Sequence, residues 1–80
     1  MPFYHFSWTP QMEEYIAQHG VTREEFEEAV SNPDQELASD SSGRPACRGT
    51  TSTGKRLFCV YEVSEDGFEV EPVTAYEIGY

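Results

Sequence analysis

The sequence is poor in basic residues, with five Lys and Arg against fifteen Asp and Glu and a formal net charge of -10. Proteins that bind nucleic acid gain much of their free energy from clustered Lys and Arg, which release counterions from phosphates. Nucleic acid should therefore be repelled by this chain at long range. The acidity has two explanations: it keeps a small protein in solution, or it matches a partner with a basic surface.

Cysteine and histidine are also scarce, with two of each, and none stands at the spacing of a zinc site. The sequence has no phosphate-cradling glycine loop and no serine nucleophile elbow. We therefore expect no metal and no cofactor. Residues 1–6 have neither a basic start nor an apolar run typical of a secretory signal. With no apolar run near the ~20 residues of a spanning helix, we expect a cytoplasmic protein with reduced thiols and no membrane partner.

Eighty residues suffice for one domain, which we expect to cover residues 1–80. A chain of this size buries only about 60 to 65% of the surface that its unfolded form exposes. Five Tyr, five Phe and one Trp supply large apolar surfaces for a compact core.

The amino-terminal half predicts two helices. The aromatic stretch 3–8 is typical of a strand or an extended arm on the core. Thr9 and Pro10 then mark a helix start, and Gly20 marks its end. The predicted inward stripe of this helix is Met12, Tyr15, Ile16 and His19.

The second helix has the clearer signature. Thr22 and Glu25 match a capping box, and Val21 and Phe26 occupy the positions of a hydrophobic staple. Phe26, Ala29 and Val30 are expected to face the core, and residues 32–33, Asn-Pro, to stop the helix. The four glutamates of this helix are expected to form a solvated face; they are Glu24, Glu25, Glu27 and Glu28.

The rest of the chain predicts a β-meander. Residues 34–45 are polar, with a flexible loop at 39–43 and a short edge strand at 36–38. Strands are then expected at 46–51, 56–63 and 68–78, joined by two turns. The predicted fold is α+β, with two short N-terminal helices packed on an antiparallel three- to four-stranded β-meander.

Register predictions follow from these turns. Pairing Thr51 with Arg56 places Cys47 opposite Val60, so the two cysteines would lie on opposite faces and form no disulfide. Alternation in the last strand would turn six residues toward the helices, namely Phe68, Val70, Pro72, Thr74, Tyr76 and Ile78. Pro72 argues for an edge position or a bulge there.

Four of the five basic residues lie within thirteen positions around the first hairpin: Arg44, Arg48, Lys55 and Arg56. This patch could hold a phosphate or a carboxylate, or it could balance nearby acidic residues. His19 could act as a general acid or base, or could cap the last carbonyls of its helix. Cys59, between Phe58 and Val60, is typical of a small core residue.

The order of several short motifs resembles the BrnT family of small bacterial toxins. The motifs are Phe6-Ser7-Trp8, His19-Gly20-Val21-Thr22, Asn32-Pro33, Arg44 five residues before Gly49, Gly54-Lys55-Arg56-Leu57, and Val73-Thr74-Ala75. The resemblance covers nearly the whole chain. At two positions the sequence departs from the pattern: Tyr76 stands where an arginine is expected, and Gln18 stands where a basic residue precedes His19.

The resemblance implies a fold similar to RelE-type ribonuclease toxins of toxin-antitoxin systems, which cleave messenger RNA without a metal. The candidate catalytic residues that it implies are His19, Arg44, Arg56 and Tyr76. Because a cationic group is missing from this set, our first hypothesis is a BrnT-like protein-interaction or regulatory module without ribonuclease activity, binding a basic protein partner or an antitoxin. The alternatives are an active ribosome-dependent ribonuclease and a small-molecule binder with an apolar pocket between helices and sheet.

Overall fold

The computed structural model describes residues 4–38 and 44–78. The elements in chain order are β1 (His5–Phe6), α1 (Pro10–Ala17), α2 (Arg23–Ser31), β2 (Gln35–Ala38), β3 (Pro45–Thr50), β4 (Arg56–Val63) and β5 (Glu69–Glu77). The predicted α+β class is confirmed. The strand count was wrong, because these strands form one five-stranded sheet in the order β1-β5-β4-β3-β2. The sheet is mixed, since β1 runs parallel to β5 while the other pairs are antiparallel.

Both helices begin as their caps predict. The Thr9 hydroxyl accepts a hydrogen bond from the Met12 N–H, and Pro10 occupies the first turn. Thr22 and Glu25 form the complete capping box, with bonds of 2.9 and 3.2 Å. Such local bonds satisfy N–H groups that a helix start leaves without intrahelical partners.

The core lies between the helices and one face of the sheet. Phe26 and Ile16 are fully buried there against Leu57 of β4. Gly49 of β3 lies directly under α2, since a Cβ at this position would stand 2.8 Å from the Ala29 backbone. The predicted inward stripe of α1 was wrong in part, because Tyr15 and His19 are exposed while Ile16 is buried.

The hairpin between β3 and β4 corrects the predicted register. Thr51 donates its N–H to the Lys55 carbonyl, and Gly54 takes the positive φ of 91° that a three-residue hairpin loop requires. Thr50 therefore pairs with Arg56, and Cys47 lies opposite Cys59. The prediction that the two cysteines lie on opposite faces was wrong, because they share the buried face, where both are free thiols.

Strand β5 contains an irregularity that inverts its alternation. Val60 pairs with Thr74 but Tyr61 pairs with Pro72, so one extra residue, Val73, is inserted in β5. The predicted bulge at Pro72 is confirmed, whereas the edge position is wrong because β5 lies between β1 and β4. Beyond the bulge Ala75 is buried instead of its neighbours, and Tyr76, predicted to face the helices, is 45% exposed.

Two further predictions concern the segment that precedes β3. The edge strand at 36–38 is confirmed as part of β2, which pairs with β3. The flexible loop predicted at 39–43 lies outside the described residues. Within residues 4–38 and 44–78, no helix is long and apolar enough to cross a membrane.

Candidate interaction surface

The two faces of the sheet differ in what covers them. Both helices pack on the face that carries Cys47, Leu57 and Ala75. The described part of the chain places no helix on the opposite face, which we call the open face. Register assigns it three cross-strand rows: Gln35, Arg48, Phe58 and Tyr76; Leu37, Ala46, Val60 and Thr74; and Glu62 with Glu71.

Three of the four predicted catalytic residues share this open face. Tyr76 lies opposite Phe58, and Arg56 stands two residues before Phe58 on the same side of β4. Arg44 bonds the Glu62 carboxylate at 3.0 Å. Because Glu62 is six residues beyond Arg56 along β4, Arg44 lies roughly 20 Å from Arg56. Arg56 and Tyr76 are therefore neighbours, and Arg44 is remote from both.

His19 belongs to the other side of the sheet. It follows α1, where its N–H donates to the Ile16 carbonyl and its ring meets the edge of Tyr15 at a centroid distance of 5.0 Å. Arg56 points away from the helices, since its neighbour Leu57 is buried beneath them. The structure therefore does not bring His19 together with Arg56 and Tyr76.

Two residues beside Arg56 and Tyr76 were missed as members of a site. Phe58 lies against Tyr76 with ring centroids 5.4 Å apart and planes tilted by 30°. Arg48 lies directly opposite Phe58 on the neighbouring strand. The signal that could have found this grouping was Gly54, which fixes the hairpin register. With the register shifted by one residue, Arg48 and Phe58 no longer share a row.

A small cavity lies at this end of the open face, which we call the basic end. Its volume is about 150 Å³, and it is lined by Asp34, Gln35, Arg48, Gly49, Thr50, Arg56 and Ile78. The Thr50 hydroxyl donates to the Asp34 carboxylate at 2.7 Å. Among the described residues, two arginines and one aspartate thus line this cavity.

The opposite end of the open face is acidic. A groove of about 600 Å³ is lined there by Arg44, Pro45, Glu62, Val63, Ser64, Glu69 and Glu71. Glu62 and Glu71 lie directly opposite each other, an arrangement that is destabilising for like charges. The ion pair of Arg44 with Glu62 offsets little of this repulsion, because both side chains are about half exposed.

The glutamates of α2 bind their own chain, so the predicted solvated face was wrong for three of the four. Glu27 accepts the Trp8 indole N–H at 2.6 Å, and Glu28 accepts the Ser52 backbone N–H at 3.0 Å. Glu25 pairs with Lys55 at 3.2 Å. Glu24 is exposed, as predicted. The acidity of this helix therefore serves the fold at three positions.

Lys55 does not belong with the other residues of the predicted basic patch, because its ammonium group pairs with Glu25 on the helix side of the sheet. Its ammonium group also donates to the Gly20 carbonyl at 2.6 Å, on the helix side of the molecule. The four basic residues around the hairpin are thus divided. Lys55 contacts α2 and the turn before it, Arg44 lies at the acidic end, and only Arg48 and Arg56 of these four line the same cavity.

The cysteine pair contributes no reactive thiol at this surface. Cys47 and Cys59 are fully buried on the helix side, and the Cys47 thiol contacts the Ala29 carbonyl at 3.7 Å. A hydrogen bond with Cys47, together with burial, raises the pKa of Cys59. In the described ranges, no group of three or more His, Cys, Asp and Glu is arranged to hold a metal ion.

Comparison with known proteins adds no relative: no family model, no curated protein and no solved structure matches this chain. The BrnT-like resemblance therefore stays a prediction drawn from the order of short motifs.

Proposed function

We propose that this chain is a BrnT-like protein-interaction or regulatory module of the cytoplasm, without ribonuclease activity. Its acidic end docks a basic segment of a partner protein, such as an antitoxin. The observation that carries the proposal is the facing pair Glu62 and Glu71, which line an open groove together with Glu69. A like-charge pair that costs about 0.2–1 kcal/mol of stability is explained if a cationic partner neutralises it.

One ion pair within the groove shows that its carboxylates can bind a guanidinium group. The Arg44 guanidinium, just before β3, donates to the Glu62 carboxylate at 3.0 Å. Glu71 and Glu69, which accepts the Ser7 hydroxyl at 2.8 Å, line the same groove. A Lys or Arg from a partner would meet those carboxylates in the same way. The net charge of -10 would also accelerate the approach of a basic partner.

Apolar surface adjoins this acidic groove. Val63 lines it and is 39% exposed. Protein interfaces combine apolar anchors with a charged rim, so Val63 suits a partner side chain that packs beside the ion pairs. We therefore expect the contact to involve a folded or folding protein segment rather than a free cation.

An affinity experiment with matched charge variants tests the docking proposal. The wild-type chain and a Glu62→Gln, Glu69→Gln, Glu71→Gln variant are immobilised and exposed to lysate of the source cells. The control is a Glu13→Gln, Glu14→Gln, Glu24→Gln variant, which removes the same charge from exposed helix positions. A partner retained by the wild type and the control is then purified and titrated against all three chains.

We expect that partner to be basic, to lose at least about tenfold in affinity with the groove variant, and to bind more weakly as salt rises. An equal loss of affinity with the groove variant and the control variant would show that binding depends only on net charge. Binding unaffected by the groove variant would overturn the proposed site.

The ribonuclease alternative keeps one supporting observation, the grouping of Arg56, Tyr76 and Arg48 on the open face. Stabilising the charge of a cleaved phosphodiester requires cations that converge on one phosphate. His19 lies across the sheet and Arg44 roughly 20 Å away, so two of the four predicted groups do not converge with Arg56 and Tyr76. We expect the purified chain not to cleave messenger RNA on translating ribosomes. Cleavage that is lost in an Arg44→Ala, Arg56→Ala variant would establish the alternative.

A further inference from the structure

The basic end of the open face brings two arginines together in an acidic protein. Arg48 lies opposite Phe58, and Arg56 lies opposite Thr50, so the two arginines are diagonal neighbours on one face. Diagonal positions in an antiparallel pair are about 7–8 Å apart, within reach of long side chains. Like charges on neighbouring side chains repel each other, and an anion bound between the two arginines would offset that repulsion.

The cavity between these strands has the size and lining of a site for a compact anion. Its volume of about 150 Å³ leaves room for a phosphate or carboxylate group but not for a folded segment. Gln35 and Thr50 place an amide and a hydroxyl on its wall. Among the described residues of the lining, Asp34 is the one carboxylate, and the Thr50 hydroxyl donates to it. Positive charge therefore exceeds negative charge among these described residues.

We propose that this cavity binds the oxyanion group of a small ligand, a phosphate or a carboxylate, between Arg48 and Arg56. A guanidinium presents five N–H donors in a planar fork, so each arginine can bind an oxyanion and keep a partner within the fold. Charge-assisted bonds of this kind are about twice as strong as neutral ones. The site stands apart from the docking groove and does not depend on it.

The overall charge of -10 does not prevent such binding. The glutamates at the acidic end lie roughly 20 Å from Arg56 along β4, whereas charges are screened within about 8 Å at physiological salt. Beside the cavity, the Phe58 and Tyr76 rings form an aromatic surface, of which Tyr76 is 45% exposed. A ligand that carries an aromatic ring next to its oxyanion would gain stacking there.

A titration followed by nitrogen-edited NMR tests the site on the full chain. The probes are inorganic phosphate, acetate, adenosine monophosphate and adenosine, each at constant ionic strength. We expect saturable shifts at the amides of Arg48, Gly49, Thr50 and Arg56 with phosphate or acetate, and binding of adenosine monophosphate at least as tight as that of phosphate. Phosphate bound in preference to acetate would assign a phosphorylated ligand, and the reverse a carboxylate.

Variants then decide whether the arginines carry the binding. Arg48→Gln and Arg56→Gln should each weaken it about tenfold or more, while Arg23→Gln, the same charge change at an exposed helix position, should leave it unchanged. Arg48→Lys and Arg56→Lys keep the charge and the fold but should still weaken binding, since they lose the fork.

Four results would overturn the proposal, and the first three concern the oxyanion titrations and the Arg23→Gln control. They are no saturable shifts with either oxyanion, shifts centred outside the cavity, and equal weakening by Arg23→Gln, which would show a nonspecific response to charge. Tight binding of adenosine without any binding of phosphate would also contradict it.

Discussion

Charged and aromatic side chains are arranged differently on the two faces of the sheet, the covered face on which the helices pack and the open face. On the covered side, polar groups from α2 are tied to the fold, as when Glu27 accepts the Trp8 indole N–H and Glu25 meets Lys55. On the open side, Glu62 faces Glu71 and Arg48 neighbours Arg56, so like charges stand together. Like charges that face each other are destabilising, and the exposed ion pair of Arg44 with Glu62 offsets little of that cost.

Aromatic residues show the same division. Phe26 is fully buried and meets the rings of Phe6 and Trp8 edge to face, with centroids 6.3 and 5.3 Å apart. Phe58 of the open face is half-buried and has the partly exposed Tyr76 as its ring partner. The difference fits the proposal that the open face binds a partner, while the covered face holds the centre of the core.

The largest expected effect is a difference in the free energy of unfolding between variants of two phenylalanines, Phe26 and Phe58. Phe26→Ala should lower the free energy of unfolding by about 3–5 kcal/mol, because it leaves a cavity in the centre of the core. Phe58→Ala should cost about 1 kcal/mol, as expected for a cross-strand pair on an open face. Urea unfolding followed by circular dichroism measures both. Similar losses at the two positions would break the distinction between the faces.

A smaller expected effect is the pH dependence of folding stability that results from Glu25 on the covered side of the sheet. Burial raises the pKa of Glu25, but the bonds from the Thr22 N–H and Lys55 outweigh it, so the pKa is lower in the folded chain than its ordinary value. The contribution of Glu25 is therefore present above the unfolded carboxyl pKa of about 4.3 and is lost as pH falls through the lower folded value.

Glu25→Gln keeps the carbonyl oxygen that can accept from Thr22 but removes the charge. We expect the variant to be about 0.5–1 kcal/mol less stable than the wild type at pH 7, with a gap that closes as the pH falls below about 4. Urea titrations at a series of pH values, with the exposed Glu24→Gln as control, measure the gap. A gap independent of pH would assign the loss to geometry rather than to charge.

The helices could be predicted from the sequence because their signals are local. Thr9, Thr22 and Glu25 cap helices through bonds that span three residues, and these bonds are present as predicted. The exposed positions of His19 and Tyr15 could not be predicted in the same way. Which side of α1 is covered depends on where β5 lies, and the pairing of β5 with β1 and β4 is a long-range property.

The sheet was harder to predict than the helices, because a register shift of one residue turns every side chain of a strand to the opposite face. A hairpin loop of three residues in place of four moved Cys47 from opposite Val60 to opposite Cys59. The insertion of Val73 likewise turned Tyr76 outward and Ala75 inward. The candidate site depends on both shifts, so its grouping of Arg48 with Phe58 required the structure.

The measurement that tests the central claim most directly is the stability of Glu71→Gln. If Glu71 is retained for binding and not for the fold, removing its charge opposite Glu62 should raise the free energy of unfolding by about 0.2–1 kcal/mol. Glu14→Gln, an exposed helix position, is the matched control for the change in net charge. A gain beyond that of the control supports an open face built for binding, and a loss of stability would contradict the account by showing that Glu71 holds the fold together.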